Sequence, residues 1–310
     1  MLIQFNFKNF KSFRDEVSLD LSATRITEHQ EHVVNIANDK LLKVTAIYGT
    51  NASGKSNIYD AFNYMTYYIS ESFNFGGEEN NRRKSKSSYM KSTPFLFDEK
   101  SCEKETVFEV FYVDNLENSG KIYQYRFSIK KEEVIEEWLY SKAKTARNGY
   151  RTIFYHKKGS ELEINGFSKN HVQNIKASLN KETLIALLGA KLRVAKLKKV
   201  MDWFLNNDIL DFGDPVENYF YSKMIPDGFA DSKEVQNNVV EYFAAFDESI
   251  QDFNVEELLE EDEKYVSKDY KIETIHRMAD SQNMADIPLE LESSGTLKMF
   301  VLYPSLKYVL

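Results

Sequence analysis

Gly49-Thr50-Asn51-Ala52-Ser53-Gly54-Lys55-Ser56 is the stretch of this chain whose residue types and spacing most directly imply chemistry. Its glycines let backbone N–H groups turn inward around an anion without Cβ atoms in the way. Lys55 follows the second glycine and brings an ammonium to the same anion, while Ser56 offers a hydroxyl to a divalent cation. A helix starting here would point its positive end at the phosphates. The ligand this predicts is ATP with Mg2+. Gly49, Thr50, Asn51, Ala52, Ser53, Gly54, Lys55, Ser56 and Asn57 are the expected nucleotide contacts, Lys55 the catalytic cation at the β- and γ-phosphates, and Ser56 the Mg2+ ligand. GTP is disfavoured, because the nearest guanine-specifying string, Asn180-Lys181-Glu182-Thr183, lacks the aspartate.

The elements that must position this loop follow from hydropathy period. Residues 2 to 7 and 17 to 21 alternate apolar and polar on either side of Asn9-Phe10-Lys11-Ser12-Phe13, which predicts a β-hairpin. The apolar run Leu41 to Tyr48 predicts a strand entering the loop. Ile58, Ala61, Phe62, Met65, Tyr68 and Ile69 fall at helical intervals and predict the helix leaving it. Residues 74 to 93 read as a mobile surface loop with the basic cluster Arg82, Arg83, Lys84 and Lys86. Period-two patterning from 107 to 164 predicts an antiparallel meander.

From Ser168 the pattern turns helical, with Thr183 to Asn206 and Glu234 to Ile250 as long helices. The acidic run Glu256 to Glu263 reads as a solvated helix end. Short strands are expected at 270–275 and 287–292, and a final helix over Thr296 to Tyr308. The expected organisation is therefore a β-rich lobe at 1–168, a helical lobe at 169–285, and a segment at 286–310 returning to the first.

Composition narrows the classes. With 22 Phe and 19 Tyr the chain can build an aromatic core. The single cysteine, Cys102, forms no internal disulfide, and no Cys/His set has zinc-ligand spacing, which fits a reducing cytoplasm. The N-terminus lacks the apolar stretch of a signal peptide, and no apolar run approaches the length of about 18 residues that suggests a membrane span. A net charge of −8 confines any nucleic-acid contact to local basic patches: the 82–86 cluster, or Lys191, Arg193, Lys196, Lys198 and Lys199 on a predicted helix. For both, a solvated charged surface is the ordinary reading.

Four features resemble one branch of P-loop proteins. The N-terminal Asn9–Phe13 hairpin is similar to the opening of RecF, SMC and OLD-like heads, and the loop with Asn51 and Asn57 is similar to their Gly-x-Asn-x-x-Gly-Lys-Ser-Asn form. Leu291-Glu292-Ser293-Ser294-Gly295-Thr296-Leu297-Lys298 resembles the ABC-type signature of bacterial phage-defence ATPases related to OLD proteins. His276 and Phe246–Ile250 sit where that family carries similar residues. The resemblance implies an α/β P-loop NTPase fold, an ABC-ATPase-like head with a β-rich lobe and an inserted helical lobe. It further implies a head-to-tail homodimer, with Ser293, Ser294 and Gly295 meeting the γ-phosphate bound by the partner, Ser293 in a catalytic role. An effector nuclease or another defence subunit is the implied further partner. Without the loop, Ser-Ser-Gly-Thr is an ordinary turn and N-cap.

ABC-type heads carry an apolar strand ending in Asp-Glu after the signature helix. The sequence stops at Leu310 before one, so the expectation is the N-terminal portion of a longer protein that binds ATP and turns it over poorly. Phe95-Leu96-Phe97-Asp98-Glu99 is an internal candidate for that acidic pair and defines an alternative, an independent P-loop ATPase. Phe243 to Glu248 has the right letters but helical spacing. Another alternative is a non-hydrolysing nucleotide sensor that gates an effector. Asp211-Phe212-Gly213 matches a kinase fragment without the accompanying motifs, and is a chance string.

Overall fold

The computed structural model describes residues 1–36, 39–72, 92–116, 120–146, 149–213, 224–262, 265–279 and 281–309. The chain forms two units, Met1–Asn207 and Asp208–Leu310.

In the first unit, alternation over β1 (Leu2–Lys8) sends Phe5 and Phe7 to one face of a sheet and Gln4 and Asn6 to the other. A tight turn folds the chain back so that β2 (Val17–Asp20) pairs antiparallel with β1, Phe5 opposite Leu19. A small separate ribbon follows, β3 (Val33–Ile36) with β4 (Asp39–Leu42). After the loop comes α1 (Lys55–Glu71), and after the short α2 (Glu99–Cys102) the meander: β5 (Thr106–Val113), β6 (Lys121–Lys130), β7 (Glu133–Ala143), β8 (Arg151–Lys157) and β9 (Glu163–Ile164). The other edge of β1 pairs with β5, so hairpin and meander make one antiparallel sheet of order β2-β1-β5-β6-β7-β8-β9.

Helix α1 lies on the apolar face of this sheet through Ala61, Tyr64, Met65, Tyr68 and Ile69. Tyr64 stacks on Phe108 at 5.5 Å and Tyr68 on Phe127 at 5.5 Å between ring centroids. Such ring pairs add about 0.5–1.5 kcal/mol each beyond the area they bury. Three helices complete the core: α3 (Lys169–Ser178), α4 (Ile185–Lys191) and α5 (Ala195–Leu205). The start of α4 has no side-chain cap of its own. Glu137, on β7 and fully buried, supplies one by accepting from the Ile185 and Ala186 amides at 2.6 and 3.0 Å and from the Tyr125 hydroxyl at 2.8 Å.

The second unit pairs the long strands β10 (Ile250–Asp262) and β11 (Tyr265–Arg277), with β12 (Met284–Pro288) on the other side of β11. Helices α6 (Lys233–Phe243) and α7 (Ser294–Val309) share a core of Phe229, Val239, Phe243, Phe253, Phe300 and Tyr303.

Hairpin, meander, α1 and the final helix stand as expected. Several expectations change. Only Leu41 and Leu42 of the run expected to enter the loop are in a strand; residues 44–50 lie outside any strand, with Val44, Ile47 and Tyr48 exposed. A strand needs a neighbour for its N–H and C=O groups, and among the described residues none pairs with this stretch. The helical lobe at 169–285 divides instead: α3–α5 join the first unit, while 250–277 is a hairpin. Thr183 to Asn206 is two helices broken at Arg193, whose φ is 60°. The acidic run at 256–262 is strand, not helix end, because it pairs residue by residue with β11, Glu256 opposite Lys271 and Glu257 opposite Tyr270. Residues 289–291 form a short 3-10 turn rather than the end of a strand. The basic cluster at 82–86 lies outside the described residues. No helix among the described residues is long and apolar enough to cross a membrane.

Candidate phosphate-binding site

The loop Gly49–Ser56 is largely exposed and runs directly into α1, whose N-cap is Gly54. Gly54 has φ 92°, a left-handed conformation that a side chain disfavours by about 1–2 kcal/mol. A Cβ there would also stand 2.9 Å from the Phe13 ring and 2.9 Å from the Ser12 hydroxyl. Ala52 is left-handed as well, at φ 62°, and pays that cost, as residues at ligand sites often do. At Gly49 a Cβ would come within 2.8 Å of the Ser53 hydroxyl. The loop is thus drawn tight at both glycines.

The start of α1 is left open to an anion. Among the described residues no side chain caps it, and its first turn carries no acidic residue, so nothing of opposite sign offsets the positive end of the dipole. Lys55 folds back across the loop and donates to the carbonyls of Gly49 and Thr50 at 2.8 and 2.7 Å. Its ammonium therefore sits against the backbone of the loop it follows. Ser56 follows on the first turn of the helix with its side chain exposed. Backbone amides, one ammonium and one hydroxyl suit a phosphate chain with a divalent cation.

The hairpin turn forms the back wall. Asn57 donates from Nδ2 to the Ser12 hydroxyl at 2.7 Å, and Lys11 pairs with Asp60 of α1 at 2.6 Å. Asn9, 2% exposed, fastens the turn from behind, donating to the carbonyl of Ser101 at 2.9 Å and accepting from the Phe95 amide at 3.0 Å. The sequence marks Lys11 and Ser12 only as part of the Asn9–Phe13 hairpin turn. Their bonds to Asp60 and Asn57 join segments some 45 to 49 positions apart, a relation no local pattern carries.

Asp98 does not occupy the place of a strand-borne carboxylate. It is the N-cap of α2, accepting from the Lys100 amide at 3.1 Å and the Ser101 hydroxyl at 2.8 Å. The Ser101 bond foremost holds its carboxyl below the usual aspartate range. Phe95–Phe97 is not the apolar strand the alternative requires: these residues lie outside any strand, and Leu96 and Phe97 are exposed. Phe243–Glu248 is likewise neither strand nor continuous helix: α6 ends at Phe243, and Asp247 turns to accept from the Ser249 amide at 3.0 Å.

In the second unit, Ser293, Ser294 and Gly295 are exposed at the start of α7. The Ser293 hydroxyl accepts from the Thr296 amide at 3.1 Å, the N-cap role that its residue type allows. His276 stands on β11 with Nε2 2.6 Å from the Glu292 carboxylate. Of the second basic stretch, Lys198 pairs with Asp202 at 3.3 Å and Lys196 lies 5.8 Å from the centre of the Phe167 ring, the surface roles expected of a helix face.

A family described as "AAA domain, putative AbiEii toxin, Type IV TA system" matches residues 44–310, from just before the loop through the helix that begins at Ser294. No curated protein matches the chain.

Proposed function

Because the chain belongs to this family of AAA-type P-loop ATPases, we propose that it is an ATP-driven conformational switch of the RecF, SMC and OLD-like kind, acting in phage defence or DNA transactions. The observation that carries the reading is the tight loop at the uncapped start of α1 with the Lys55 ammonium across it. In this reading Lys55 leaves the carbonyls of Gly49 and Thr50 for the β- and γ-phosphates. The amides of residues 50–55 wrap the same phosphates, and Ser56 holds Mg2+. P-loop catalysis is chiefly positioning and charge stabilisation, which these groups supply in cis.

Ser293, Ser294 and Gly295 complete the site in trans, in a head-to-tail dimer with the ABC-like arrangement of lobes. The exposure of all three, at the positive end of a long helix, supports this. An effector nuclease or another defence subunit would receive the switch.

Binding and turnover separate in this reading. Among the described residues no strand of the first unit ends in an Asp-Glu pair, and Asp98 is committed to α2. Residues 1–310 therefore bind ATP with Mg2+ and hydrolyse it slowly, behaving alone as a nucleotide sensor. The test is calorimetric titration of ATP with Mg2+ into the chain and into Lys55→Ala. Removing charge-assisted hydrogen bonds worth about 1.5–3 kcal/mol weakens binding roughly 10- to 100-fold. Equal affinity in the two proteins refutes the site; rapid turnover by residues 1–310 refutes the sensor behaviour.

A further inference from the structure

The second unit contains a polar chain that the phosphate loop does not use. Thr274 and His276 lie two positions apart on β11, so both side chains leave the same face of the strand. Glu292 comes from the segment between the 3-10 turn and α7, one residue before the Ser293 cap. Its side chain is 9% exposed and that of His276 14% exposed. His276 Nε2 lies 2.6 Å from Glu292 Oε1, and the Thr274 hydroxyl donates to the same oxygen. The ring is held from its other side too, with Nδ1 2.9 Å from the Ser249 hydroxyl, which in turn lies 2.6 Å from Asp247 Oδ1.

Ser249, His276 and Glu292 superficially form a nucleophile, base and acid. The Asp247 carboxylate argues against that chemistry. It accepts from the Ser249 hydroxyl, so that hydrogen is not directed at the ring and the hydroxyl is not activated. What the network does accomplish is mechanical. Both nitrogens of the imidazole are bound, and the carboxylate they orient sits directly against an exposed stretch. Leu291 is 73% exposed and Ser293–Gly295 are exposed, so few packing contacts hold this stretch between the buried Leu289 and Leu297, which packs against the core.

We propose that His276 is a positioning residue: by clamping Glu292 it holds Ser293-Ser294-Gly295 in one conformation, ready for the phosphate chain carried by a second copy of this protein. The proposal rests on the head-to-tail reading above and deepens it. It assigns the order of the trans site to a buried latch on β11 rather than to residues that touch nucleotide.

The experiment compares the chain with His276→Ala and His276→Gln, the latter keeping a nitrogen donor toward Glu292. Three quantities are measured: ATP affinity with Mg2+, amide hydrogen exchange over residues 289–299 without nucleotide, and ATP-dependent self-association by sedimentation. His276→Ala is expected to keep ATP affinity within about twofold, since the loop is untouched. It should speed exchange over 289–299 at least tenfold and weaken self-association at least tenfold, with His276→Gln recovering most of both. A merely structural residue would not show that rescue. If His276→Ala loses the β10–β11 pairing, Glu292→Ala takes its place, with the same expected rise in exchange and loss of self-association. Wild-type chain that stays monomeric with ATP and Mg2+ refutes the head-to-tail reading, and the proposal falls with it. Wild type that associates while the variants associate equally, or exchange equally over 289–299, refutes the latch alone.

Discussion

Glu137 should make the stability of the first unit fall as pH rises through neutrality. Its carboxyl is fully buried, and burial pushes it up from 4.5 to about 7, against the opposing pull of the Ala186 and Ile185 amides and the Tyr125 hydroxyl. The folded chain therefore holds this proton more tightly than the unfolded one. The stabilisation is complete below the unfolded value and is lost as pH climbs through the folded one. At 1.36 kcal/mol per pH unit, the interval from 4.5 to about 7 amounts to about 3 kcal/mol. The sequence pI of 5.4 argues for working above it, and between pH 6 and 8.5 on the order of 1 kcal/mol of the effect remains visible.

Another group titrates nearby with the opposite sign. Burial lowers the Met1 amino group from 8.0 to about 6, which favours the folded state as pH rises. Comparison with Glu137→Gln cancels that contribution. The two tryptophans, Trp138 and Trp203, both belong to the first unit, so their fluorescence during urea unfolding reports on it alone. The stability of wild type relative to Glu137→Gln should shrink by on the order of 1 kcal/mol from pH 6 to 8.5. Parallel profiles for the two proteins would show that Glu137 does not carry its proton into the fold, and the reasoning fails.

Gly54→Ala should weaken ATP binding about tenfold or more in titration calorimetry, because a left-handed alanine costs about 1–2 kcal/mol before its Cβ meets Phe13 and Ser12. Unchanged affinity would mean the loop does not need that backbone conformation. Asn57→Ala removes the bond to Ser12 and should lower ATP affinity two- to fivefold, in line with about 0.5–1 kcal/mol for an exposed hydrogen bond. Asp98→Ala should leave ATP binding unchanged and loosen only α2, as followed by hydrogen exchange over residues 95–105; loss of nucleotide turnover in this variant would revive the acidic-pair alternative.

What the sequence disclosed was what is local. The hairpin at 2–21, the meander and the loop-to-helix junction each repeat a period or carry turn residues within a short window, and each stands in the structure. Relations made by distant partners were not legible. Glu137 sits in a strand whose pattern reads as ordinary alternation, and its burial follows only once Ile185 and Ala186 arrive some 48 positions later. The acidic run at 256–262 has a charge density that suits a solvated helix or strand equally. Only the thirteen-residue pairing partner at 265–277 decides it, and the Leu258-Leu259 doublet obscures the alternation. His276 falls where the resembling family carries a similar residue, but its bond to Glu292 depends on a return of the chain that no spacing encodes.

The hairpin turn shows how far a motif depends on residues outside it. The family match begins at residue 44, after the turn, and contains every residue of the loop. Yet the surface that forces Gly54 to lack a side chain is built by Ser12 and Phe13, and Asn57 and Asp60 of α1 are tied to Ser12 and Lys11. Phe7 and Phe10 of the same hairpin pack at 5.2 Å on Phe13 and at 5.6 Å on Tyr64, joining the back wall to the buried face of α1. A chain beginning at residue 44 would keep the glycines, the lysine and the serine while losing the wall against which their backbone is bent. The chemistry of the loop is written in its own eight residues, but its conformation is imposed by a turn some forty positions earlier, and substitutions at residues 9–13 should move nucleotide affinity without touching the nucleotide.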